Sequence, residues 1–221
     1  KCFDNLVKLD FGSEPGSIDI SGMFSGEGER VGLGKNLKAR GNVETWLGSV
    51  EDHMFKSIRD LMKASVTDYE EQPRIEWVKT HITQIVITVV NIFWASEIET
   101  RLTSDGDRVQ ALQDYHALAV QQLNASAMEV SGQLTDLERK TFVALITGDV
   151  HNRDIVEDMR KQKVDTTGSF TWQMQLRFYW DEAEDDCIVR QVNSASRYGY
   201  EYQGALSRLV VTPLTDRCYM T

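Results

Sequence analysis

The sequence predicts a mainly α protein with β structure at both ends: a helical bundle preceded by a β-hairpin and followed by a β-rich segment. Three observations carry this. Residues 1–36 are rich in glycine and lack helical periodicity. From Gly41 to Gln162, apolar residues recur at three- and four-residue intervals, the spacing of one helix face. From Ser169 the apolar period becomes two, the alternation of a half-buried strand.

In the first segment, Ile18–Phe24 and Arg30–Leu33 read as strands, and Ser25-Gly26-Glu27-Gly28-Glu29 has the composition of a hairpin turn. Val43, Trp46, Leu47, Val50, Met54, Ile58, Leu61 and Met62 then form an amphipathic stripe. Thr67 to Glu70 fits a capping box that would open a new helical turn after a break. Gln72-Pro73 marks a restart, because proline is tolerated in a first turn. From Ile75 to Leu102 the apolar residues share one face, which predicts a single helix about 40 Å long. Ser104–Asp107 is a turn and N-cap cluster opening the next helix, and a second capping box, Thr135 to Glu138, opens another. Phe170, Trp172, Met174, Leu176, Phe178 and Trp180 alternate with polar residues as a strand. The acidic run Asp181–Asp186 then makes a solvated hairpin tip before a return strand over Cys187–Val192. Tyr198–Tyr202 and Leu209–Val211 read as further short strands, with Thr215 or Asp216 capping a final helix.

Lys plus Arg number 24 against 34 Asp plus Glu, a net charge of -10. That balance argues against nucleic-acid and anionic-membrane partners, which require a positive footprint. The longest apolar stretch, Ile85–Phe93, falls short of the ~20 residues that a bilayer span takes. Cys2, Cys187 and Cys218 lie far apart without a C-x-x-C spacing, so reduced and mostly buried thiols of an intracellular protein are expected. Lys1 opens the chain without an initiator Met or a charged-then-apolar leader, so no signal peptide is expected and the span reads as a piece of something longer.

Catalytic patterns are missing. Neither G-x-G-x-x-G nor G-x-x-x-x-G-K-[ST] occurs, and Gly34-Lys35 is followed by Asn36, so no phosphate cradle is expected and the glycines belong to turns. G-x-S-x-G is absent, and no cysteine neighbours a histidine. His53, His81, His116 and His151 fall in helical segments without metal-ligand spacing. Asp181–Asp186 lacks the glycine and terminal Glu of a calcium loop. Asp149–Asp154 reads as a helix surface with local ion pairs.

Longer motifs say more. Tyr198-Gly-Tyr-Glu-Tyr-Gln-Gly-Ala-Leu-Ser-Arg-Leu-Val-Val-Thr-Pro-Leu-Thr-Asp-Arg-Cys-Tyr219 resembles the entry to the first AAA+ module of dynein heavy chains. Phe170-Thr-Trp-Gln-Met-Gln-Leu-Arg-Phe-Tyr-Trp180 is similar to the segment just upstream in that family. Gly22–Val31, Gly41–Leu47 and Gln84–Val86 resemble its linker, so the likeness runs from Cys2 to Thr221. The Tyr-Gly-Tyr-Glu-Tyr wording is similar to axonemal chains. Gln203 and Ala205 depart from the Leu and Asn usual there, and Val211 from Ile, which leaves the arm type open.

The resemblance implies a two-part organisation. Residues 1–165 would be the C-terminal half of the linker, with the hairpin at about 18–33 and the helical bundle at about 41–162. Residues 166–221 would be a β-rich junction and the N-terminal edge of the first module, leading into an α/β AAA+ fold. It further implies an axonemal motor driven by ATP, with ADP and magnesium at its site. The linker is the lever of the power stroke, and Val210, Val211, Thr212, Pro213 and Leu214 would border the adenine. Catalytic parts would lie beyond Thr221, and Arg217 is not promoted to an arginine finger. Expected partners are the chain's own AAA+ ring, other dynein heavy, intermediate and light chains, and microtubules reached through remote parts of the parent. Expected locations are the cytoplasm, the cytoskeleton and the axoneme of cilium or flagellum. The alternative is a non-catalytic helical scaffold for protein–protein contacts in a cytoskeletal complex.

Overall fold

Turn chemistry at Ser25–Glu29 sets the first element. In the computed structural model, which describes residues 3–205, 208, 210–212, 214, 215 and 218, Gly28 takes a φ of 87° there, a conformation that disfavours a Cβ. The strands on either side, β2 (Asp19–Ser25) and β3 (Arg30–Lys38), pair antiparallel with Met23 opposite Val31. A strand absent from the sequence-based expectation, β1 (Leu6–Phe11), pairs with β2 and places Leu9 beside Met23. Ile20, Met23, Val31, Leu33 and Leu37 turn inward from this sheet and are buried.

The chain divides into two units. Unit 1 comprises Lys1–Val86, Thr135–Thr141 and Gly199–Leu206, and unit 2 comprises Ile87–Leu134, Phe142–Tyr198 and Ser207–Thr221. In unit 1, α1 (Val43–Glu71) packs against β3. Its buried side chains Val50, Met54, Ile58 and Met62 are spaced by four, as an inward stripe requires. The helix does not break before Thr67: it runs unbroken to Glu71, so the Thr67-x-x-Glu70 pattern sits inside the last turns and caps nothing. Pro73 then begins α2 (Arg74–Thr80), as expected of a proline that needs no donor there. Trp77 of α2 is fully buried, donates its indole N–H to the Ser65 carbonyl at 3.2 Å, and meets Tyr69 edge-on at 4.8 Å.

The expected single helix over Ile75–Leu102 is two. His81 is extended (φ -115°, ψ 155°), and α3 (Thr83–Thr103) starts afresh. The cause lies 54 residues upstream in the hairpin, where Glu29, only 2% exposed, accepts the Thr83 N–H at 2.8 Å. A carboxylate at this helix start satisfies an otherwise orphaned donor and complements the positive end of the helix. His81 accordingly lies in the interruption, not within a helix.

In unit 2, α4 (Arg108–Val130) begins at Asp107, whose carboxylate accepts the Gln110 N–H at 3.1 Å, as the turn cluster predicts. The Thr135–Glu138 box forms as expected at the start of α5 (Asp136–Lys161), a start that belongs to unit 1. Glu138 accepts the Thr135 N–H at 2.8 Å, and the Thr135 hydroxyl accepts the Glu138 N–H at 3.2 Å. The Thr135 bonds hold the Glu138 carboxyl below its ordinary pKa. The core of unit 2 gathers Trp94, Ile98, Leu102, Leu112, Val156 and Trp172. Trp94, 5% exposed, is core, with its ring 5.1 Å from that of Trp172.

Phe170–Trp180 is not one strand. Phe170–Gln173 form a helical turn, α6, and only Arg177–Asp181 form a strand, β4. The period-two pattern does not trace a sheet face there, since Phe170 is 62% exposed while Trp172 is fully buried. Trp172 is fixed by its indole N–H on Glu99 at 3.1 Å, and the same carboxylate oxygen accepts the Tyr179 hydroxyl at 2.7 Å. Burial, then Glu99, raises the Tyr179 pKa above its ordinary value. The acidic tip turns as expected, with Asp181 accepting the N–H groups of Ala183 and Glu184. Then follow the return strand β5 (Asp186–Gln191) and an unanticipated β6 (Ser194–Arg197), giving a sheet in the order β4-β5-β6. Tyr198–Tyr202 form no strand, because Tyr200 has a φ of 51°. Val210 and Val211 are not in a strand either, and Leu209 lies outside the described residues. No helix among the described residues is long and apolar enough to cross a membrane.

Candidate functional site at the C-terminal segment

Residues 199–205 are held in unit 1 by side chains from distant parts of the sequence. The Tyr202 ring is buried, and its hydroxyl donates to the Glu29 carboxylate at 2.9 Å and lies 3.2 Å from the Glu29 carbonyl. Glu29 therefore joins the hairpin, the start of α3 and this segment through one buried carboxylate. Burial and then the Glu29 charge raise the Tyr202 pKa above its ordinary value, so the phenol stays protonated. Gln84, one residue into α3 from Thr83, donates its amide to the Glu201 carbonyl at 2.8 Å. Its own oxygen accepts the Gln203 N–H at 2.8 Å. The single amide thus pairs with the backbone much as a neighbouring strand would. Beyond it, Gly204 has a φ of 65°, and a Cβ there would come within 2.8 Å of the Ser25 Cβ. Only glycine fits.

In unit 2, the candidate border residues stand as follows. Val210 is 70% exposed and Leu214 73% exposed, and Thr212 is exposed as well. Val211 is half-buried, and Pro213 lies outside the described residues. Thr212 and Thr215 form a reciprocal pair: the Thr212 N–H donates to the Thr215 hydroxyl at 3.2 Å and the Thr215 N–H to that of Thr212 at 3.4 Å. The capping residue is thus Thr212 rather than Thr215, because its hydroxyl sits three residues before the N–H it accepts. Asp216 and Arg217 lie outside the described residues. Chemically this stretch offers apolar contact to a flat ring.

Cys187 is buried, and burial, aided by Asp186, pushes its thiol up to about 12. Cys218 is exposed, contrary to the expectation of buried thiols, and Cys2 lies outside the described residues. Arg153 and Asp154 form the local ion pair expected of the Asp149–Asp154 helix surface. Among the described residues, no group of three or more His, Cys, Asp or Glu is placed to hold a metal.

The polar tie of Glu29, Gln84 and Tyr202 escapes a reading by motif. Glu29 counts there only as a turn residue and Tyr202 as one tyrosine of an alternating run. Their pairing spans 173 positions, so no local spacing encodes it.

Comparison with known proteins adds to this geometry. A family model described as "Dynein heavy chain, N-terminal region 2" matches residues 1–65, and one described as "Hydrolytic ATP binding site of dynein motor region" matches residues 198–221. The whole chain aligns with dynein axonemal heavy chain 6 of Homo sapiens at 48% identity, covering 6% of that protein. It aligns over its full length with dynein axonemal heavy chain 2 of Mus musculus at 41% identity, covering 5%, and with dynein axonemal heavy chain 12 of the same species at 43%, covering 7%. The chain thus spans well under a tenth of the length of these relatives, yet aligns with them along all of its own. It belongs to the dynein heavy chain family.

Proposed function

We propose that the chain is the C-terminal half of the linker of an axonemal dynein heavy chain, running into the edge of the first ATP-binding module. In this reading residues 1–165 are the power-stroke lever and residues 166–221 are the junction. Val210, Val211, Thr212, Pro213 and Leu214 border the adenine of ATP. The observation that carries the proposal is the order of the two family matches, N-terminal region first and hydrolytic ATP-binding region last. The Glu29 carboxylate supports it, because a lever must grip the segment through which it delivers force. The exposed Val210 and Leu214 supply apolar surface of the kind an adenine ring covers.

The parent polypeptide is then an ATP-driven microtubule motor of the axoneme of cilia or flagella. The lever works against its own AAA+ ring, alongside other heavy, intermediate and light chains. ATP is the substrate, and phosphate and Mg²⁺ contacts belong to parts of the parent outside this chain. The 221-residue chain neither hydrolyses ATP nor holds it with useful affinity, since its sequence has no G-x-x-x-x-G-K-[ST] loop. Peptide mass spectrometry of the native polypeptide tests the first part. A chain of several hundred kilodaltons with a phosphate loop soon after Thr221 supports the proposal, and a native chain ending near Thr221 overturns it. A phosphate-release assay tests the second part, and turnover by the purified chain would refute it.

A further inference from the structure

Between α2 and α3, in unit 1, the backbone turns extended at His81 before the next helix starts. Such a joint lacks a helical hydrogen-bond ladder of its own, so its conformation depends on what its groups touch. On one side the Thr80 hydroxyl donates to the Trp77 carbonyl at 2.9 Å, and on the other the Thr83 N–H donates to Glu29. The His81 side chain, between them, is held by packing. Its ring centroid lies 5.3 Å from that of the fully buried Trp77, and its Nε2 lies 3.3 Å from Asp68 Oδ2 of α1. That approach is too far off line for a hydrogen bond, and the buried Nε2 has no hydrogen-bond partner.

The environment decides which form of the imidazole fits. Asp68 and the face of Trp77 both favour a charged ring. Burial opposes it, since only 11% of the side chain is exposed. Asp68 is 41% exposed, so water screens its attraction, and the two rings are tilted by 46° rather than stacked. Burial outweighs Asp68 and holds the His81 pKa below its ordinary 6.5. Among the described residues, Asp68 is the charge that bears on the ring. Lys79 of α2 pairs with Glu76 at 3.6 Å, Glu138 of α5 bonds to Thr135, and Glu29 of the hairpin bonds to Thr83 and Tyr202.

We propose that His81 is an acid-operated latch on the joint between α2 and α3. Neutral, the ring stays packed against Trp77 and the joint is closed. Protonated, the ring leaves Trp77 for water beside the exposed Asp68, and the first turn of α3 loosens with it. The open joint binds the proton more tightly than the closed one. The stability of the closed joint is therefore fully present above pH 6.5 and is lost as pH falls from there through the folded value.

The test uses the 221-residue chain and two readouts. Imidazole resonances followed by NMR give the titration of His81, assigned by its disappearance in His81→Phe. Its midpoint is expected below 6.5, and lower still in Asp68→Asn. Amide exchange of a peptide covering residues 80–84, with the chemical exchange rate divided out, gives the opening of the joint. Opening is expected to increase as pH falls through 6.5 in the unmodified chain and to stay level in His81→Phe. His81→Gln, polar but without a titration in this range, should behave as His81→Phe does and serves if that variant does not fold. A His81 midpoint at or above 6.5 overturns the proposal. So does an opening that rises with acid equally in the unmodified chain and in the His81 variant.

Discussion

Replacing Glu29 by Ala removes the acceptor of the buried Thr83 N–H at 2.8 Å and the nearer acceptor of the Tyr202 hydroxyl at 2.9 Å, leaving that hydroxyl the Glu29 carbonyl at 3.2 Å. Thr83 and Tyr202 are each 1% exposed, so water does not substitute without local opening. An orphaned buried donor costs ~1–3 kcal/mol, and with the Thr83 N–H orphaned the destabilisation is expected at about that size. Glu29→Gln keeps one acceptor oxygen in a similar shape, and its cost is expected to be smaller than that of Glu29→Ala. Urea unfolding followed by far-ultraviolet circular dichroism measures the cost. Amide hydrogen exchange of a peptide containing Thr83 locates it, because the first turn of α3 is expected to lose protection before the rest of that helix. In a double-mutant cycle with Tyr202→Phe, the two substitutions are expected to be non-additive, since they share one bond. If Glu29→Ala left both the urea midpoint and the exchange of Thr83 unchanged, the carboxylate would not hold these elements together and the reasoning would fail.

Three further outcomes follow from the geometry. Because burial and Glu29 raise the folded pKa of Tyr202 above its ordinary 10.0, its neutral form contributes stability that is fully present below pH 10.0 and lost as pH rises toward the folded value. Tyr202→Phe should therefore flatten the decline of the urea midpoint above that pH, and an identical slope in the variant would count against the buried phenol. Trp94→Ala should cost roughly 3–5 kcal/mol as a large-to-small core change, read from the thermal transition; an unshifted transition would place the ring at the surface. Iodoacetamide at pH 8, about the range where ordinary thiols begin to ionise, should label exposed Cys218 and spare Cys187, whose thiol burial pushes up to about 12. Equal labelling in peptide maps of the folded chain would show that Cys187 is not shielded.

What the sequence made legible depended on distance along the chain. The caps at Asp107 and at Thr135–Glu138 act over three residues, and both form as their spacing implies. The interruption at His81 is the opposite case: nothing between Ile75 and Leu102 breaks the helical pattern, and the cap that starts α3 comes from Glu29. Phe170–Trp180 misled because alternation is a signature of strands only where one face is buried. There the exposed Phe170 and the buried Trp172 belong to a helical turn fixed by Glu99. Register shifts between Leu6 and Lys8 and between Asp10 and Phe11 disturb the period of β1, which hides it from pattern reading. All four residues of β6 are exposed, so no apolar signal exists for that strand. At the candidate site, the residues around Val210–Leu214 were legible only through resemblance, since an apolar pair beside Thr-Pro is an ordinary turn by composition. The buried tie that secures residues 199–205 was not legible at all, because it joins three remote segments.

The most direct measurement of the lever account is microtubule gliding by the parent motor carrying Glu29→Ala, with ATP turnover measured in the same preparation. If the hairpin, the start of α3 and the segment entering the ATP-binding module act as one mechanical unit, gliding should slow markedly while microtubule-stimulated ATP turnover persists. Gliding at the unmodified speed with turnover intact would show that force does not pass through this carboxylate, and it would contradict the account.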